Sequence, residues 1–238
     1  MIAVIIPTHN RIPELREALK SVFQQKLLPD HIIVVDDGSV PAVPVDIFTD
    51  APDAIKLTLL RNESPKGGNF ARNIGANATA CDYIAFLDDD DRWIQNKLQI
   101  QVELMREKKL DLCYTGRDII QLDTNLKVVS EHYSFKSPRF QKLTKSIMWR
   151  NFIGTMSSIL IKKAHFEIVG GFNTKMPALQ DLEFYIRSIF SGARVEGINQ
   201  PGFGIKKTIF FVYIDRFRTF KISIGGITYG SILQIQIG

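Results

Sequence analysis

An α/β fold, with a mostly parallel central sheet flanked by helices, is the architecture that the sequence predicts, on three observations. Short apolar runs alternate with amphipathic helical stretches from Met1 to about Asp111, the pattern of a sheet built from strands and crossover helices. Two of those runs end in carboxylates, Asp36-Asp37 and Asp88-Asp-Asp-Asp91, and the carboxyl ends of strands are where such sheets bind ligands. At 238 residues, 45% hydrophobic and 23% charged, the chain has the composition of one globular domain with a sizeable core.

The elements follow in order. Ala3 to Ile6 reads as a first buried strand, with Pro7-Thr-His-Asn10 as the loop at its end. Pro13 to Gln25 carries Leu15, Ala18, Leu19, Val22 and Phe23 at helical spacing. His31 to Val35 is a second strand, and residues 40 to 54 are a loop with at most a short helix. Ile55 to Leu60 is a third strand, followed by a loop whose Gly67 and Gly68 permit close backbone approach to a ligand. Asn69 to Ala80 is helical with Arg72 on it, Asp82 to Leu87 is the fourth strand, and Trp93 to Lys108 is an amphipathic helix.

Beyond Thr115 the alternation lapses. Arg117 to Glu131 reads as two strands around an Asp123-Thr-Asn125 turn, and Arg139 to Arg150 as a helix. Ser157 to Ile161 is a strand, Lys163 to Val169 a short helix, and Gly170-Gly-Phe-Asn173 a tight turn. A helix then starts near Leu179, with Asp181 in its first turn, where a carboxylate suits the helix dipole. Ile209 to Ile214 is a candidate last strand, and the tail after Ser223 shows no period.

Composition excludes several classes. The net charge of +5 is modest, with Lys206, Lys207, Arg216, Arg218 and Lys221 clustered late. That suits an anionic ligand or a membrane surface, and no nucleic-acid motif accompanies it. Cys81 and Cys113 lack metal or redox spacing and are expected to pack as small apolar groups in a reducing cytosol. His9, His31, His132 and His165 show no ligand spacing and are expected to be non-catalytic. The apolar start is cut short by Pro7, as in a strand rather than a leader. No run reaches the ~20 apolar residues of a membrane span. The expected location is the cytoplasm, in soluble form or in peripheral contact with the inner face of the cytoplasmic membrane.

Four adjacent carboxylates repel one another, so a folded chain keeps them either in free solvent or against a cation. Their position after an apolar strand favours a hard divalent ion bridging protein and a phosphate ester.

The segments Val4-Ile-Ile-Pro-Thr-His-Asn-Arg11, Val34-Val-Asp-Asp-Gly-Ser39, Ala71-Arg-Asn-Ile-Gly75, Phe86-Leu-Asp-Asp-Asp-Asp91-Arg-Trp93 and Gly170-Gly-Phe-Asn173, followed by Gln180-Asp181, together resemble family 2 of the inverting glycosyltransferases. The resemblance covers about Ile2 to Phe190. It implies the GT-A fold, Rossmann-like, with a nucleotide-binding half to about residue 115, an acceptor-side half over 116–203, and a C-terminal extension over 204–238. It also implies a nucleotide-diphosphate sugar donor, with a UDP-sugar expected, a Mn²⁺ or Mg²⁺ ion, and a saccharide or lipid-linked saccharide acceptor of bacterial surface-polysaccharide assembly.

Carried over residue by residue, Thr8 and Asp37 would meet the base, Arg72 the phosphate or base, and Asp89 the sugar or ribose. Asp90 would ligate the metal. The register stays open, because Asp88-x-Asp90 competes with Asp89-x-Asp91, so Asp88 and Asp91 are further candidates. Asp181 matches the family's catalytic base, although Gln180 stands where the family has an acid. Trp93 fits either core packing or a sugar platform.

Two other functions fit parts of the pattern. A sugar-phosphate nucleotidyltransferase would carry a glycine-rich loop after the first strand, and Pro7-Thr-His-Asn10 has no glycine. A sugar-nucleotide-binding protein without catalysis would not need both the acidic run and Asp181.

Overall fold

The computed structural model describes residues 1–122, 128–176, 178–208, 222–224 and 227–229. In chain order the elements are β1 (Ile2–Thr8), α1 (Ile12–Phe23), β2 (His31–Asp37), β3 (Lys56–Asn62), α2 (Gly68–Asn77), β4 (Tyr83–Phe86), β5 (Asp91–Trp93) and α3 (Lys97–Glu107). There follow β6 (Leu112–Leu122), β7 (Val128–Ser134), α4 (Leu143–Trp149), β8 (Ile159–Lys162), α5 (Lys163–Val169), α6 (Gln180–Phe190), β9 (Val195–Thr208), β10 (Ile222–Ile224) and β11 (Ile227–Tyr229).

Among the described residues the main sheet runs β3-β2-β1-β4-β8-β6-β9-β5, with β7 paired to β6. The half formed by β3, β2, β1 and β4 is parallel throughout. Beyond β4 it turns mixed, since β8 runs antiparallel to both β4 and β6, while β9 runs parallel to β6.

The strand sequences explain the layers. In β1, Ala3 and Ile5 face one apolar cluster while Ile2, Val4 and Ile6 face the other. A strand covered on both faces reads as an unbroken apolar run. On one face α1 buries Leu15, Ala18, Leu19 and Val22, the stripe expected from its spacing. Each of its leucine and valine side chains contributes about 1.5–3 kcal/mol on burial. On the other face α2, α5 and α6 cover the sheet with Ala71, Phe166 and Phe184. Gly75 is needed there, because a Cβ at that position would lie 2.5 Å from Ile5 Cγ2. The helix α5 ends as the Gly-Gly pair predicts: Gly170 adopts φ +79° and its N–H donates to Glu167 O at 2.9 Å.

Two expectations change. Trp93 does not open a helix; Asp91 to Trp93 pair antiparallel with Phe203 to Ile205, and α3 starts at Lys97. Trp93 is buried and its indole N–H donates to Ser157 O at 3.0 Å, which makes it a core residue and not a sugar platform. The long strand β9 was not expected, because Pro201 and Gly202 interrupt any apolar period there. The Asp123-Thr-Asn125 turn, the strand expected over Ile209 to Ile214, the side chains of His132, Lys206 and Lys207, and Arg216, Arg218 and Lys221 of the late basic cluster lie outside what the structure describes. Among the described residues no helix is long and apolar enough to cross a membrane.

Candidate functional site

The carboxyl ends of β1, β2 and β4 open onto one crevice. It has two cavities that share Arg72 and Asp88 as a common wall. The first is lined by Thr8, Arg11, Asp37, Asp89 and Asp90. The second is lined by Asn69, Thr155, Gln180 and Asp181.

The end of β2 supplies two carboxylates with different tasks. Asp36 is buried and accepts from the Ser39 N–H at 2.8 Å, the Val43 N–H at 3.1 Å and the Arg61 guanidinium. Burial alone would raise its pKa, but these donors hold it below the usual value. Asp36 therefore shapes its own turn. Asp37 faces the first cavity, yet Asn62 Nδ2 at 2.6 Å, the Gly67 N–H at 2.7 Å and the Lys66 N–H at 2.9 Å already occupy its oxygens. Those bonds seat the loop that leads into α2, beneath the guanidinium of Arg72. Gly68 leaves room for that guanidinium, since a Cβ there would meet Arg72 Nη1 at 2.9 Å.

The four acids after β4 separate. A backbone bond from the Asp91 N–H to Asp88 O, 3.0 Å, closes them into a turn. Asp88 points into the crevice and accepts from Arg72 Nη2 at 2.5 Å. Asp89 is buried, accepting from the Thr8 hydroxyl at 2.8 Å and from Arg11 Nη1 at 3.3 Å. Burial raises its pKa against those two donors. Asp90, the most open of the three, accepts from Arg11 Nη1 at 3.0 Å.

Asp91, expected among the metal candidates, lines neither cavity. It is 3% exposed on β5, and burial, reinforced by Asp88 and Asp90, pushes its carboxyl up to about 8. The turn and the β5–β9 pairing direct it inward, so the crevice presents Asp88 and Asp90.

Among the described residues, no group of three or more His, Cys, Asp or Glu is arranged to hold a metal ion. The donor chemistry nonetheless fits a hard divalent cation: of the four carboxylates lining the first cavity, Asp37 and Asp89 are engaged by neighbouring donors while Asp88 and Asp90 are the more open, and such ions are commonly held by one or two carboxylates plus substrate phosphates. The arginines Arg11 and Arg72 pair with Asp90 and Asp88.

Across the common wall, Asp181 sits in the first turn of α6. Its Oδ1 accepts from the Leu182 N–H at 2.8 Å, and Asn151 Nδ2 reaches its Oδ2 at 3.4 Å. Asn151 is itself held, accepting the N–H groups of Ile153 and Gly154 at 3.0 and 2.9 Å. Burial raises the Asp181 pKa, and the charge of Asp88 adds to it. Helix α6 is anchored by Arg187, which pairs with buried Glu183 through two 2.6 Å contacts and donates to Val169 O and Gly171 O at 2.6 and 2.9 Å. The Gly170-Gly171 turn and the Asp181 helix are thus one unit.

Among the described residues, Asn69 Oδ1, Arg72 Nε and Thr155 Oγ1 are buried without a hydrogen-bond partner, and all three residues line the second cavity. An unsatisfied buried polar atom costs about 1–3 kcal/mol.

Every expected site residue except Asp91 reaches this crevice. No role was expected of Arg11, Asn69, Asn151 or Thr155. His9, expected to be non-catalytic, lines the first cavity with its Nδ1 2.8 Å from Asp37 O. Arg11 closes the Val4–Arg11 segment, but its acidic partners are nearly eighty residues away, beyond the reach of any local pattern.

A sequence model of the family described as Glycosyl transferase family 2 matches residues 3–169. The chain is 29% identical over 190 residues to an uncharacterized glycosyltransferase of Haemophilus influenzae, covering 79% of this chain and 61% of that protein. It is 30% identical over 146 residues to the UDP-Glc:alpha-D-GlcNAc-diphosphoundecaprenol beta-1,3-glucosyltransferase WfgD of Escherichia coli, covering 61% of this chain and 56% of that one. The chain therefore spans less than two thirds of the length of either relative. Its fold is similar to that of S. aureus TarS 1-349 in complex with UDP-GlcNAc, with a TM-score of 0.67 at 18% identity, over 90% of this chain and 61% of that one.

Proposed function

The chain belongs to glycosyl transferase family 2, and on that premise we propose that it moves one sugar from a nucleotide-diphosphate sugar to a hydroxyl acceptor with inversion at the anomeric carbon. One observation carries this reading. The Arg72–Asp88 pair separates a cavity walled by Asp89 and Asp90 from one walled by Asp181, so a leaving group and an attacking group have opposite sides to approach from.

The donor lies in the first cavity, with Thr8, Asp37 and the Asn62–Gly67 loop around the nucleoside and Arg11 and Arg72 turned to its diphosphate. Asp89, tied to Thr8 and Arg11, sets the floor against which the ribose or sugar rests. Asp88 and Asp90 would hold Mn²⁺ or Mg²⁺. When bound, such an ion neutralises charge that develops on the diphosphate. The acceptor lies in the second cavity, its hydroxyls met by Asn69 and Thr155. Asp181 takes the proton from the attacking hydroxyl as its oxygen bonds to the anomeric carbon and the bond to the diphosphate breaks. An α-linked donor gives a β-linked product.

A UDP-sugar is the proposed donor, supported by the nucleotide named for the fold relative and for WfgD. The proposed acceptor is a saccharide, carried on a lipid as WfgD's name states for its own, in surface-polysaccharide assembly at the cytoplasmic side of the membrane. The donor half extends to about residue 115 and the acceptor half over 116–203.

Calorimetric titration with UDP, GDP and their sugars, with and without Mn²⁺, tests the reading. Metal-dependent binding that Asp90→Ala abolishes supports it. Binding that ignores the metal overturns the assignment of Asp88 and Asp90, and no binding of any nucleotide sugar overturns the function.

A further inference from the structure

Between Glu131 and Glu167 the chain has no acidic residue, while Lys136, Arg139, Lys142, Lys145 and Arg150 crowd the first part of that interval. All five are exposed around α4, and among the described residues none of them enters an ion pair. Aromatic rings lie among them. Trp149 is 61% exposed, with the Arg139 guanidinium 4.8 Å from its ring centre. Phe140 meets Trp149 edge-on at 6.4 Å and takes the Lys145 ammonium at 4.4 Å.

We infer that this face of α4, with the segment leading into it, docks on an anionic lipid membrane. Charge complementarity selects that occupant. Unpaired cations without interspersed acids are drawn to an acidic lipid surface, and a large exposed Trp beside them has the amphipathic ring that membrane interfaces favour. The place in the fold gives the contact a use. Arg150 leads directly to Asn151, whose amide reaches Asp181, and α4 packs on α6, the helix that carries Asp181. Docking by this face would bring the second cavity close to the lipid surface. The membrane contact itself does not depend on the identity of the donor.

The test sediments the full chain with phosphatidylcholine vesicles, with and without phosphatidylglycerol. Binding is expected only to the mixed vesicles, weakening as salt screens the charges. Each charge removed should lower affinity roughly five-fold, so the combined Arg139→Gln, Lys142→Gln, Lys145→Gln variant should fall about a hundred-fold. Trp93 is buried, so a blue shift of tryptophan emission on the mixed vesicles reports Trp149 and should disappear in Trp149→Phe. Equal binding to neutral vesicles, unchanged binding by the triple variant, or self-association through Trp149 in place of vesicle binding each overturns the inference. Circular dichroism and nucleotide titration of the variants establish that they are folded.

Discussion

Arg72 Nη2 donates to Asp88 Oδ1 at 2.5 Å, so one ion pair both closes the acidic turn after β4 and divides the crevice. Arg72→Ala leaves Asp88 facing Asp91 and Asp181 without its cation. Hydrogen bonds to charged groups contribute about 1.5–3 kcal/mol, which predicts a ten- to hundred-fold loss of nucleotide-diphosphate affinity. Calorimetry measures it, and affinity equal to wild type would remove Arg72 from the donor side.

Asp181→Asn keeps the shape of the α6 turn but cannot accept a proton. Transfer should fall by about 10²–10⁴ while donor affinity stays within error. Burial raises the Asp181 pKa, and a base must be ionised to act. The rate of the wild type should therefore fall as pH drops through a midpoint above the ordinary aspartate value. A pH profile of transfer with its acid limb at or below that ordinary value would contradict the assignment.

Lys97 is fully buried on α3, its ammonium 2.5 Å from Gln101 Oε1 and 4.2 Å from the centre of the Trp93 ring. Burial pulls its pKa down from 10.5 to about 7. Between those values the unfolded chain holds a proton that the folded chain lacks, so this group's contribution to stability grows as pH rises across the window and is lost as pH falls through 7. Denaturant melts of Lys97→Met should show a flatter rise of stability with pH than the wild type. Parallel curves would show that Lys97 stays charged in the fold.

Arg187 holds α6 to the Gly170-Gly171 turn and compensates buried Glu183. Removing one partner of a buried pair costs about 3–5 kcal/mol. For a chain of this size Arg187→Ala should lower Tm by roughly 6–20 °C, measured by calorimetry. The double variant with Glu183→Gln should recover part of that loss, because the stranded charge is gone.

The nearer half of the fold was legible because its strands and helices are local. The spacing of Leu15, Ala18, Leu19 and Val22 is enough to put them on one face of α1, and Lys163–Val169 was bounded by its sequence and by the glycines after it. The failures share a cause. Asp91 to Trp93 became a strand because residues about 110 positions later pair with it, and β9 spans a Pro and several glycines because β6 supplies its partners over eleven register positions. Hydrogen bonding between distant segments overrides local propensity there.

The site divides in the same way. Which chemistry is present is written in the chain itself: an acidic run after an apolar strand, an arginine on the helix before that strand, and a carboxylate in the first turn of α6. Which acids face the crevice depends on contacts between distant segments. The Asp88–Asp91 backbone bond and the β5–β9 pairing turn Asp91 inward and leave Asp88 and Asp90 outward. Asp89 is taken up by Thr8 and Arg11, which lie about eighty residues away in the chain. Four identical side chains carry no local information that tells them apart, so their roles are set by burial and by partners that only folding brings near.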